Sequence, residues 1–505
     1  MLPDFPNLPK RAGGILLHPT SLPSPYGIGD LGPSAHAWLD WLSKAGCSLW
    51  QILPLGPTGF ADSPYQSFSA FAGNHLLISP QLLLEQGLIS ALELEGAPSF
   101  PEDRVDYGAV ITWKEKLLEQ AAATFERRAK PELLDEYQTY CEDQRAWLDD
   151  FALFMALKRE HEGKPWTDWP AALRDREVGA LKAANEALAV RIQDQKVRQY
   201  LFSAQWSNLR RAAQEYTITI IGDIPIFIAH DSADIWARPE FFCLDTQGQP
   251  VVVAGVPPDY FSATGQRWGN PHYNWTRMAQ DGFTWWIRRF EQVLNRVDVV
   301  RLDHFRGFEA FWEIPGTEET AVNGRWVPGP RHALLDRLKE ALGGLPIIAE
   351  DLGIITEEVV ALRLDYGLPG MKVMQFGFEG GPDDDFLPQQ FEEGYVAYTG
   401  THDNDTTLGW YQAASSEVQD FCRRYLSSNG DHIVWDIIET LWASVAAWTI
   451  VPLQDPLELG SEARMNFPSR THGNWSWRVV ENQLTDELAE RLRDMNQRHG
   501  RVGGE

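Results

Sequence analysis

The 505-residue chain is 44% apolar and 23% charged, enough to bury a large core and inconsistent with a disordered tail. Lys plus Arg total 44 against 71 Asp plus Glu, a net charge of −27, which excludes the basic footprint that nucleic acids and anionic membranes require. The four cysteines (Cys47, Cys141, Cys243, Cys422) are scattered with no CxxC pair. That pattern argues against a disulfide framework or a zinc site and favours a reducing, cytoplasmic compartment. The opening MLPDFPNLPKRAGG has no apolar secretory core, and the most apolar stretch, LWASVAAWTIVPL from Leu441, is too short to span a bilayer.

Eight short apolar runs, most ending in polar residues, recur along the chain. They are GGILLHPTS (13–21), LWQILPLGP (49–57), ITIIGDIPIF (218–227), VDVVRLDHF (297–305), PIIAEDLG (346–353), MKVMQFGF (371–378), YVAYTGTHD (395–403) and WTIVPLQD (448–455). Runs apolar on both faces predict parallel strands covered by helices. Helical signals lie between them. Ser34 is placed to cap a helix carrying Trp38, Trp41 and Leu42 with Gly46 near its end, and 331–342 and 356–364 have helical spacing. The expected architecture is α/β, a (β/α)8 barrel of 1–505 with large insertions. An open doubly wound sheet is the competitor, but no GxGxxG follows the first strand.

Two intervals exceed a simple crossover. Residues 80–200, rich in Ala, Leu, Glu and Arg with Trp147, Phe151 and Phe154 at helical spacing, are expected to form a mainly helical inserted subdomain. Residues 238–285, rich in Gly, Pro, Asn and aromatics, are expected to form an inserted loop subdomain over the active-site cleft.

Strand side chains alternate between faces, so Val297, Val299, Arg301 and Asp303 share one. Asp223 shares a face with Ile221, Glu350 with Ile348, and Asp403 with Thr401. If the apolar members fill the barrel, four carboxylates and an arginine converge at its C-terminal mouth, where barrel enzymes hold their active sites. Crowded carboxylates cannot all ionise at ordinary pH, so at least one keeps its proton. An acid and a nucleophile about 5–5.5 Å apart are what retaining glycosidic chemistry uses. Arg301 is expected to keep Asp303 ionised as nucleophile, leaving Glu350 as the acid and then the base. One Asp–Arg pair alone reads more readily as a structural salt bridge; four such strand ends favour a site.

The pairs His230-Asp231, Asp303-His304 and His402-Asp403 raise a metal-dependent hydrolase as an alternative. Neighbours on a continuing strand face opposite ways, however, and the chain has no HxH or HExxH. His304 and His402 read better as hydrogen-bond donors to a polar ligand, and His230 as structural. No motif implies a metal, nucleotide or flavin, so no cofactor is expected. Arg306 is expected only in a structural pair at the strand end.

Several long motifs closely resemble those of the amylomaltases, the 4-α-glucanotransferases or disproportionating enzymes of the α-amylase superfamily. They include GILLHPTSLPSPYGIGDLG, WQILPLGPTG, SPYQSFSAFAGN, GDIPIFIAHDSADIW, GVPPDYFSATGQRWGNPHYNW, RLDHFRG, IIAEDLG, GTHDN and SEARMNFPSRTHGNWSWR, which together cover nearly the whole chain. The resemblance implies Asp303 as nucleophile, Glu350 as acid/base and Asp403 as the carboxylate that grips sugar hydroxyls. It implies Arg301, His304, Asp223 and His402 as contacts around the reacting glucose, and Tyr65 as the ring that stacks on it. Gln266 and Trp268 fall in the family's loop over the cleft, and Ser63, Asn270, Pro271 and Asn466 match substrate-contact positions. The implied partners are α-1,4-glucans and maltooligosaccharides, and the chain is compatible with a monomer.

The implied reaction is transfer of α-1,4-glucan segments to the 4-OH of an acceptor through a covalent glycosyl-enzyme, with intramolecular transfer giving cyclic glucans. A hydrolytic amylase-like enzyme would share the carboxylates, and a non-catalytic glucan-binding barrel would have lost one. The choice of transfer over hydrolysis rests on the resemblance.

Overall fold

Eight parallel strands form the centre of the computed structural model, which describes residues 8–258, 262–468 and 470–502. They are β1 (Ala12–Leu16), β2 (Leu49–Gln51), β3 (Thr219–Pro225), β4 (Val299–Asp303), β5 (Ile347–Ala349), β6 (Gly370–Val373), β7 (Tyr395–Tyr398) and β8 (Trp448–Pro452). All eight fall on the runs singled out above, with β1 and β6 starting one residue earlier, at Ala12 and Gly370. The hydrogen-bonded order is β6-β7-β8-β1-β2-β3-β4-β5. The Ala349 N–H donates to Pro369 O at 2.9 Å and brings the two ends together. The sheet is therefore a near-closed (β/α)8 barrel, the shape that removes exposed strand edges.

The strands are buried on both faces because their sequences suit nothing else. In β4, Val299, Val300 and Leu302 are all buried. β1 runs so close to β2 that a Cβ on Gly14 would sit 2.3 Å from the Leu49 Cβ, so only glycine fits there. The helix Pro33–Lys44 buries Trp38, Trp41 and Leu42 as expected, but its cap is Gly32 and not Ser34. Asp30 already accepts the Gly32 N–H at 2.9 Å, and Pro33 suits the first helical position, which needs no donor. Helices Arg331–Leu342 and Glu357–Asp365 follow the predicted spacing.

Between β2 and β3 the chain makes a group of helices, the longest being Tyr107–Arg128, Arg145–Glu160 and Ala189–Glu215. Phe151 and Phe154 are buried there, and Trp206 ties the last helix to the barrel through its indole N–H to Arg296 O at 2.9 Å.

The stretch 238–285 has more regular structure than a loop. It holds strands Val252–Val256 and Gln266–Pro271 and helix Trp275–Gln280. The strands are antiparallel and continue through Ala310–Pro315 to Arg325–Pro328, making a four-stranded sheet from chain on both sides of β4. Its register was hidden because Val252–Val256 pairs with Ala310–Pro315, about sixty residues on, and Gln266–Pro271 is largely polar. Tyr260 and Phe261, part of the aromatic segment, lie outside the described residues. Among the described residues no helix is long and apolar enough to cross a membrane.

Candidate active site

The parallel register places Asp223 of β3 beside Arg301 of β4, and Arg301 beside Ile348 of β5. Asp303, two residues on, ends β4. Glu350 follows Ala349, which pairs with Leu302, so it stands level with Asp303. Alternation then turns all four side chains to one face at the C-terminal mouth.

Arg301 is the hub. Its guanidinium reaches Asp223 Oδ2 at 2.7 Å and Asp303 Oδ1 at 2.9 Å. The Tyr65 hydroxyl donates to the same Asp223 oxygen at 2.9 Å. The Asp223 side chain is 0% exposed and that of Asp303 29%, so Asp303 is the one a substrate can reach. The remaining faces of Arg301 are buried, and the two flanking carboxylates hold it charged.

Glu350 is fixed differently. Its carboxylate accepts from the backbone N–H groups of His304 at 2.7 Å and Leu352 at 2.9 Å. Burial, and then the negative charge of Asp303, push its pKa up to about 7 despite Arg301 nearby. It therefore holds a proton in mildly acidic solution and is about half protonated at neutral pH. His304 makes this contact because the chain leaves the strand there: its φ is 53°. Burial lowers the His304 ring to about 4, so the imidazole is neutral.

Asp403 does not arrive by strand alternation. β7 stops at Tyr398, and a turn in which Asn404 accepts from the Thr401 N–H at 2.9 Å carries the chain to Asp403. Its carboxylate accepts from Asn466 Nδ2 at 2.6 Å and lies 3.5 Å from His402 Nε2. The adjacent pair thus shares a face, contrary to the expectation for a continuing strand. His402 stacks on Tyr65 with centroids 5.2 Å apart, and Trp475 packs 5.8 Å from Tyr65. Trp268 meets the His304 ring edge-on at 5.0 Å and donates its indole N–H to Gln266 at 3.1 Å.

Four buried atoms of this constellation have no hydrogen-bond partner among the described residues: Asp223 Oδ1, Arg301 Nε, His304 Nε2 and His402 Nδ1. Unpaired polar atoms are costly to bury, so a cluster of them marks a place for a hydroxyl-rich ligand. Among the described residues, no three of His, Cys, Asp or Glu converge to hold a metal ion.

Other predicted residues make contacts within the protein. Ser63 Oγ accepts the Tyr65 N–H at 3.2 Å and shapes the turn that presents the ring. Asn270 is buried with its amide donated to Ile228 O at 2.8 Å, and Pro271 is buried in the strand paired to Val253, so both anchor the cover sheet. His230 bonds Gly248 O at 2.7 Å. Arg306 forms no ion pair among the described residues; it lies 3.8 Å over the Trp326 ring and donates to Ile354 O. It thereby ties the loop after Glu350 to the cover sheet. Trp475 and Arg464, whose guanidinium donates to Asp403 O at 2.6 Å, were missed by pattern reasoning. They sit in irregular chain beyond β8, where only the motif SEARMNFPSRTHGNWSWR pointed to them.

Replacing Arg301 by Leu would leave two carboxylates without their counter-charge, one of them fully buried. Removing one partner of a buried ion pair typically costs about 3–5 kcal/mol. Urea denaturation should show a loss of that order, shrinking in acid as Asp223 takes up a proton; an unchanged midpoint would dismiss the hub.

This geometry has relatives. Residues 17–483 match the family model described as 4-alpha-glucanotransferase. The chain belongs to the 4-α-glucanotransferase family. The enzyme of that name from Thermus thermophilus is 51% identical over 493 residues, covering 96% of this chain and 98% of the relative. The one from Synechocystis sp. is 48% identical over 500 residues, with 98% and 99% covered. The solved amylomaltase from Streptococcus agalactiae, in complex with acarbose, superposes with a TM-score of 0.94 at 39% identity, covering 97% of this chain and all of that one. The activity is accordingly that of a 4-α-glucanotransferase, a glycosyltransferase acting on α-1,4-glucans.

Proposed function

We propose that Asp303 and Glu350 carry the transfer in two displacements. Glu350 gives its proton to the glycosidic oxygen as Asp303 attacks the anomeric carbon, and the reducing-end segment of the donor leaves as an alcohol. The covalent glycosyl-enzyme remains on Asp303, and Glu350 is now a carboxylate. It takes the proton of an acceptor 4-OH as that oxygen displaces Asp303, so configuration is retained and Glu350 is reset. Attack by the donor's own distal end would give a cyclic glucan by the same step.

The observation that carries this reading is the contrast between two neighbouring carboxyls. Arg301 pairs with Asp303 and leaves it partly exposed, whereas burial raises the pKa of Glu350 so that it can give and take a proton near neutral pH. Asp403, held by Asn466, is assigned to the hydroxyls of the reacting sugar. His304 and His402 are assigned the same task, with Arg301 and Asp223 completing the contacts. Tyr65 supplies a ring face, and Trp268 and Gln266 cover the cleft from the sheet edge. Ser63, Asn270 and Pro271 support these contacts.

The substrate class is α-1,4-glucans and maltooligosaccharides, supported by the family and by the acarbose-bound relative. The four unpaired cysteines support a reducing, cytoplasmic setting. Incubation with maltotriose should yield glucose and a ladder of both shorter and longer maltooligosaccharides. A pattern of short products alone would mean water, not a sugar, resolves the intermediate.

A further inference from the structure

The run WTIVPLQD ends on a carboxylate that the two displacements do not use. Asp455 follows β8 and is 1% exposed, too deep to touch a glucan. Burying a carboxylate is costly unless its oxygens are satisfied, so its partners show what the position is for. Oδ2 accepts the hydroxyl of Thr399 at 2.5 Å and that of Thr407 at 2.7 Å, and Oδ1 accepts the Thr407 N–H at 2.7 Å. Both threonines are themselves fully buried.

Those two threonines bracket the turn that carries His402 and Asp403. β7 ends at Tyr398, and the helix Thr407–Ala413 begins at the second threonine. Residues 400–406 between them are neither helix nor strand. One side chain therefore pins both ends of the turn. Its neighbour holds the other half of the contact. Gln454 Nε2 donates to Ala463 O at 3.1 Å, in the segment that supplies Arg464 and Asn466 to Asp403. Ser461 Oγ, donating to Asp405 Oδ2 at 2.6 Å, ties the two segments together. The end of β8 is thus the common anchor of two irregular segments that meet at Asp403.

The precision of that anchor matters to the chemistry. Contacts to hydroxyls of the reacting sugar strengthen in the transition state of glycosidic cleavage. A misplacement of about 1 Å in a group that positions substrate can cost on the order of 10²-fold in rate.

We propose that Asp455 is a positioning residue for the transfer reaction, acting through Asp403 by fixing both ends of the turn that presents it. The proposal rests on the assignment of Asp403 to the hydroxyls of the reacting sugar.

The test measures maltotriose disproportionation in Asp455→Ala, Asp455→Asn and Thr399→Val, each in the wild-type and in the Asp403→Ala background. Asp455→Ala removes all three contacts, and kcat should fall about 10²-fold with KM held within about threefold. Asp455→Asn should bring kcat back to within about fivefold of wild type. Its carbonyl keeps the Thr407 N–H, and the threonine hydroxyls can turn to accept from its amide. Thr399→Val frees one end of the turn and should lower kcat roughly fivefold, a readout that holds even where Asp455→Ala does not fold. In the Asp403→Ala background the losses in Asp455→Ala and Thr399→Val should shrink to within about twofold, as for residues that act as one unit.

Equal losses in both backgrounds overturn the proposal, as does wild-type kcat in Thr399→Val and in a folded Asp455→Ala protein. An Asp455→Asn enzyme as impaired as Asp455→Ala overturns it too, since charge and not anchorage would then matter. Undiminished turnover in Asp403→Ala alone would strike the assignment of Asp403 itself, and this role with it.

Discussion

Replacement of Asp303 by Asn should abolish turnover, with kcat lower by about 10⁴-fold or more, the scale of loss when a covalent nucleophile is removed. Asparagine keeps the size of the side chain but cannot form the glycosyl ester. It also removes one of the two carboxylates that Arg301 engages, while the 2.7 Å contact to Asp223 remains to hold the guanidinium in place. Binding should therefore survive the loss of chemistry. Calorimetric titration with a maltooligosaccharide should give a dissociation constant near that of an inhibitor-free wild type measured on ice. Mass spectrometry after denaturing quench should show a glycosylated wild-type enzyme and no adduct on the variant. Retained turnover would remove Asp303 from the role.

Glu350→Gln should lower kcat by roughly 10²–10⁴-fold with ordinary glucan donors, the usual worth of a general acid. The pH dependence follows from the same residue. Glycosylation needs Glu350 protonated, and burial with the neighbouring Asp303 holds its pKa at about 7 in the free enzyme. Wild-type kcat/KM should therefore be lost on the alkaline side, by about tenfold per unit once pH is well above 7. In Glu350→Gln that limb should disappear, because the glutamine amide does not titrate. A donor with a fluoride leaving group needs no proton and should restore adduct formation in the variant without restoring transfer to a sugar. If the alkaline limb persists unchanged in the variant, another group sets it.

Much of this site can be seen in the strand sequences because β-structure has a period of two. VVRLD puts Val299, Arg301 and Asp303 on one face, the valine toward the barrel interior and the two charged residues at the mouth, and parallel register carries Asp223 and Glu350 alongside. The same rule fails at Asp403. Its position depends on a turn after Tyr398 and on Asn466, which is 63 residues away in chain. No periodicity encodes a contact between two irregular segments. Arg464 and Trp475 escaped for the same reason. The four-stranded sheet was hidden because Gln266–Pro271 is polar and partly exposed, so its burial pattern resembles a loop until Val252–Val256 is laid beside it. Arg306 showed charge in the sequence but not its partner, which is a ring and two carbonyls and not an acid.

That sheet also limits how the enzyme can be re-engineered. Two of its strands precede β4 and two follow it, and Arg306 fastens its last hairpin to the loop after Glu350. Exchanging residues 252–271 alone with those of a relative would bring in half a sheet and leave Ala310–Pro315 with a mismatched, exposed edge, an invitation to aggregate. The smallest portable unit is the continuous stretch from Val252 to Ile354. Chimeras meant to alter acceptor choice will have to move Asp303 and Glu350 together with their cover.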